Sequence, residues 1–104
     1  MSSDSSIVAL TQDEVKEHFK GGAIQADRSM SNCDHTIDEG LEEELKEDPR
    51  KYADYAGWNF HGDVFYMKGQ FHCVVMRHHQ FMETIFAQSL QEIMDKVSEK
   101  YGAD

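Results

Sequence analysis

A single α+β domain is predicted, on three observations. Capping-box tetrads stand at Thr11-Gln12-Asp13-Glu14, Thr36-Ile37-Asp38-Glu39 and Ser89-Leu90-Gln91-Glu92, each pairing a side-chain oxygen with a carboxylate that can satisfy the free amides of a helix start. Between the second and third boxes, aromatic and β-branched residues alternate from Trp58 onward, the pattern of half-buried strands. A chain of 104 residues holds one hydrophobic core, and a second domain would have no interior. The predicted architecture is two N-terminal helices, a three-stranded antiparallel sheet at about 56–67, 70–78 and 81–86, and a C-terminal helix at about 90–101 packed on it.

Residues 1–6, four of them serine, read as a flexible tail ahead of this domain of 1–104. The first box opens a short helix with Val15 and Phe19 on one face and a stop at Gly21-Gly22. Residues 23–35 mix turn formers with isolated apolar residues, a loop with room for a short strand. The second box opens a helix to Leu45 or Lys46, anchored by Leu41 and Leu45 four residues apart. Pro49 then ends it or, with Asp48 as cap, opens a short segment Pro49 to Asp54 carrying Tyr52. Lys68-Gly69 marks a two-residue hairpin turn, and His79-Gln80 a second reversal. The last helix carries Leu90, Ile93, Met94, Val97 and Tyr101 at helical spacing, with Gly102 at its stop.

A two-residue turn at 68–69 makes opposed residues sum to 137 and sorts the hairpin into faces. Trp58, Phe60, Gly62, Val64, Tyr66, Phe71, Cys73, Val75 and Arg77 form the face that the C-terminal helix covers. Asn59, His61, Asp63, Phe65, Met67, Gln70, His72, Val74, Met76 and His78 form the other, for the N-terminal helices, a second copy of the chain or a partner to cover.

Twenty acidic residues against ten basic give a net charge of -10. Residues 1–55 hold 14 acids and 6 bases, and residues 56–104 hold 6 and 4. Such a surface repels nucleic acid and anionic membranes, so neither is an expected direct partner, and a basic protein is. The N-terminus lacks a secretory pattern and no apolar run is long enough to span a bilayer, which points to a soluble cytoplasmic protein with Cys33 and Cys73 as free thiols.

His61 and His78 are diagonal neighbours on one face in this register, and a metal site starting there needs Asp63, Cys33 or His35 as a further ligand. No standard zinc spacing is present, so solvent-facing histidines are the expectation. Cys73 points to the opposite face from His72 and cannot share an ion with it. Neither a nucleophile elbow nor a phosphate-cradling glycine loop occurs, so neither enzymatic activity nor a cofactor is expected.

The segment 38–48 carries seven carboxylates, Asp38, Glu39, Glu42, Glu43, Glu44, Glu47 and Asp48, and one lysine. Glu44, Glu47 and Asp48 fall toward the helix C-terminus, where negative charge is unfavourable. Taken alone the segment reads as the solvated face of an amphipathic helix. The placement of these three acids adds the expectation of an external use, as carboxylates that imitate phosphates in a basic groove.

Residues 52–102, through Tyr55-Ala56-Gly57-Trp58-Asn59-Phe60-His61-Gly62, the hairpin, Ala87-Gln88-Ser89-Leu90-Gln91-Glu92-Ile93-Met94 and Lys100-Tyr101-Gly102, resemble small bacteriophage proteins of unassigned function. The βββα order is also similar to HicB-type antitoxins, whose RNA-binding-like fold the acidic surface departs from. The phage resemblance implies an inhibitor of a host nucleic-acid-handling protein, of which an anti-CRISPR protein is one form. The alternatives are a metal-binding module using the surface histidines and an antitoxin-like homodimer.

Overall fold

The computed structural model describes residues 9–26, 37, 40–57 and 60–102. The expected tail at 1–6, Cys33, His35, Thr36, Asp38, Glu39 and Trp58 lie outside them. Among the described residues the chain runs α1 (Gln12–His18), β1 (Ile24–Gln25), α2 (Leu41–Glu47), β2 (Lys51–Ala56), β3 (His61–Met67), β4 (Gln70–Arg77), β5 (Gln80–Ala87) and α3 (Leu90–Val97). A π-helical turn, Ser98–Gly102, extends α3.

The sheet has five strands in the order β1-β2-β3-β4-β5, with β1 parallel to β2 and the other pairs antiparallel. This corrects the three-stranded antiparallel sheet preceded by two helices, because only α1 comes before the first strand. The parallel β1–β2 pair requires a crossover, and α2 lies within it. The segment after Pro49 is a strand. Asp48 Oδ1 accepts from the Arg50 amide and Asp48 O from the Lys51 amide, a tight turn that releases the chain into β2. The first expected strand, 56–67, is two strands: Ala56 ends β2, the Gly57 amide donates to Phe60 O at 3.0 Å, and β3 begins at His61.

The hairpin register holds as expected, with Val64 opposite Cys73 and Met67 opposite Gln70. Lys68 and Gly69 both take positive φ, 56° and 82°, which suits the tight turn to the strand twist. The second reversal falls one residue earlier than expected, on His78 and His79, with φ of 50° and 66°. A register shift after Val75 leaves Met82 as an extra, exposed residue on β5.

Both sheet faces are covered. Leu90, Ile93, Met94 and Val97 of α3 and Leu41 and Leu45 of α2 pack on Ala53, Tyr55, Val64, Phe71, Cys73, Val75 and Ile85. Each such aliphatic side chain contributes about 1.5–3 kcal/mol relative to exposure. On the opposite face Leu10, with Val15 and Phe19 of α1, packs on Phe65 and Val74. The order is therefore helix, sheet, two helices. The expectation that both N-terminal helices shield the second face holds for α1 alone. Leu41 and Leu45 point α2 at the first.

Candidate functional site

The seven carboxylates of the acidic segment meet different fates. Asp38 and Glu39 are outside the described residues. Turning Leu41 and Leu45 inward, both fully buried, sets Glu42 and Glu44 on the flanks of α2 and Glu43 and Glu47 outward. Glu42 Oε2 accepts from the Leu90 amide at 2.9 Å, satisfying a free donor at the start of α3. Glu44 pairs with Lys51 at 3.1 Å. Asp48 caps the turn before β2 and lies 3.7 Å from Arg50 Nε. Three of the acids proposed for a partner therefore hold the fold together, and Glu43 and Glu47 are the exposed ones.

A second group is assembled by the sheet. On the face shared with α1, Asp54 of β2 stands directly opposite Asp63 of β3, and His61 lies two residues before Asp63 on the same side. His61 Nε2 is 3.0 Å from Asp63 Oδ1 and 3.9 Å from Asp54 Oδ1. One ligand atom from each of the three residues falls within 4.8 Å of the others. Gln25 of β1 donates to Asp54 Oδ2 at 2.8 Å, which fixes that carboxylate and leaves Oδ1 toward His61. Burial raises the Asp63 carboxyl above its usual range. Nearby His61 opposes this and Asp54 adds to it. The phenol of Tyr52 is raised by burial and then by Asp63 and Asp54.

His61 also lines an open groove of about 400 Å³ with Phe60, Met76, Arg77, His78 and His79. His78 lines the same groove as His61, but it stands in the turn after β4 instead of on the strand face expected for it and is not part of the close group. Asp54 is the member of this group that sequence reasoning missed, because recognising it requires β2 to be a strand. Tyr52-Ala53-Asp54-Tyr55-Ala56 carries no period-two alternation of apolar and polar residues, so no local signal marked it.

Cys73 is fully buried on the other face, where burial pushes its thiol far above the ordinary value, so it is a core residue. No helix among the described residues is long and apolar enough to cross a membrane. Comparison with protein-family models, curated proteins and solved structures gives no match. The fold and the two sites define a class only: a small acidic α+β domain with a carboxylate-histidine cluster on one sheet face.

Proposed function

We propose that this protein is an acidic, non-enzymatic binding protein that occupies a positively charged surface of a nucleic-acid-handling protein. The observation that supports it is the charge surplus of ten, which internal pairing does not reduce. Every ion pair removes one base for each acid. Lys20, Arg50, Lys51 and Lys100 sit by carboxylates, and Lys46 and Lys96 lie 5.6 Å from the centroids of the Tyr66 and Phe86 rings. The bases are thus drawn into local contacts while Glu43 and Glu47 face solvent. A field of this sign steers a basic partner and repels nucleic acid itself. The contact surface is narrower than the whole acidic segment, since Glu42, Glu44 and Asp48 have structural duties. By extension the proposed partner is a host enzyme, and an anti-CRISPR-like inhibitor is the specific form proposed.

The test is capture from a bacterial lysate by the immobilised protein, followed by mass spectrometry. One basic nucleic-acid-binding protein should be retained at low salt, released as salt screens the contact, and displaced by duplex DNA. Substituting Glu43→Lys and Glu47→Lys should lower its recovery with the thermal midpoint unchanged. Retention indifferent to salt, to DNA and to both substitutions would refute the reading.

A further inference from the structure

The Asp54, His61 and Asp63 group gathers three side chains of metal-ligating type on one sheet face. Like charges set directly opposite on adjacent strands destabilise a sheet, and Asp54 and Asp63 are so placed. Both carboxylates are half-buried, which weakens the screening that water would give them. They turn one oxygen each toward the same imidazole nitrogen, His61 Nε2. The 3.0 Å His61–Asp63 contact is a hydrogen bond that an ion would replace, and two acids and an imidazole with one ligand atom each within 4.8 Å of the others can serve as a ligand set for a cation.

We propose that Asp54, His61 and Asp63 bind a divalent first-row transition ion, with Zn²⁺ the best fit. An ion with metal–ligand bonds of about 2.0–2.2 Å in tetrahedral geometry separates its ligand atoms by about 3.3–3.5 Å. The observed 3.0 and 3.9 Å separations lie on either side of that spacing, and all three ligand atoms fall within 4.8 Å of one another. The imidazole nitrogen selects against Mg²⁺ and Ca²⁺, which take oxygen ligands, and carboxylates with imidazole suit Zn²⁺. Gln25 supplies the outer hydrogen bond that orients a ligating carboxylate. Three protein ligands leave one position for water or an incoming group. The ion joins β2 to β3 and cancels the repulsion between the two acids. This site stands apart from the proposed basic partner, and Glu43 and Glu47 take no part in it.

The experiment uses the full chain without a histidine tag, stripped with chelator, titrated with Zn²⁺ alone by calorimetry and with Co²⁺ by visible absorption. One equivalent should bind and raise the thermal midpoint. His61→Ala and Asp63→Asn should each weaken Zn²⁺ binding by more than about 100-fold, and Gln25→Ala by about 10–100-fold, the usual effect of losing an outer hydrogen bond. Asp54→Asn and Asp63→Asn relieve the like-charge pair, so the stripped variants should be at least as stable as the parent, which keeps the binding measurement interpretable. Glu43→Lys with Glu47→Lys should bind Zn²⁺ as the parent does. Several results would overturn the site. These are no binding by the parent, binding undiminished in His61→Ala, and binding abolished by His78→Ala with His79→Ala but not by Asp63→Asn. A cobalt–thiolate absorption band that survives His61→Ala would also overturn it.

Discussion

His72 should make the fold sensitive to mild acid. It is 3% exposed, between Phe65 and Phe86 with ring centroids 5.6 and 6.3 Å away. Its Nε2 lies 3.1 Å from the Met67 carbonyl, which only accepts, so the proton resides on Nε2 and Nδ1 is the basic nitrogen. Nδ1 is buried with no hydrogen-bond partner among the described residues. Burial lowers the pKa of the ring from 6.5, the Met67 hydrogen bond opposes this, and His18 and Lys68 reinforce it. The folded value is thus below the unfolded one, and the unfolded chain takes up the proton first as pH falls. Stability is fully present above about pH 6.5 and is lost as pH falls from there toward the folded value. The limiting slope is about 1.4 kcal/mol per pH unit, which gives at most about 1 kcal/mol between about pH 6.5 and 5.5. For a chain of this size that is a fall of about 4–8 °C in the thermal midpoint. His72→Leu removes the titrating nitrogen and places an apolar side chain among the rings. It should remain within about 1.5 kcal/mol of the parent near neutral pH. Thermal denaturation of both proteins across that pH range is the assay. Parallel curves would refute the reasoning, since acid sensitivity would then arise elsewhere.

Two further outcomes follow from packing. Gly62→Ala places a Cβ 2.7 Å from Cys73 Sγ and 3.0 Å from Tyr55 O, and should cost about 1–3 kcal/mol in urea unfolding. Adding Cys73→Ala should recover part of that, seen as a favourable coupling in a double-mutant cycle. Glu42→Ala removes the acceptor of the Leu90 amide and should cost about 1 kcal/mol with faster hydrogen exchange at that amide, whereas Glu43→Ala should stay within about 0.5 kcal/mol.

Local pattern was enough for several elements. The first capping box is formed at Thr11 and Glu14, with Glu14 Oε1 accepting from the Thr11 amide and Thr11 Oγ1 from the Glu14 amide. At the third, Ser89 Oγ accepts from the Glu92 amide, while the Glu92 side chain reaches the Gln88 amide instead of the Ser89 amide. The apolar stripe of α3 fills one sheet face as its spacing requires. Each of these depends on residues within one turn or one strand pair, where geometry is repetitive.

The sequence by itself determined the hairpin register, the faces of β3 and β4, the stripe of α3 and the charge surplus, because periodicity and charge are read residue by residue. Only the tertiary structure decided that residues 51–56 are a strand. Ala53, Asp54 and Ala56 are poor strand formers, and β2 exists because β3 offers it a partner edge and the helical layer buries Ala53 and Tyr55. The same long-range pairing set Asp54 against Asp63 and His61, and the inward turn of Leu41 and Leu45 divided the carboxylates of α2 between structure and solvent. Charges add along a chain without regard to fold, but which of them meet a partner depends on separations of a few ångströms between segments remote in sequence.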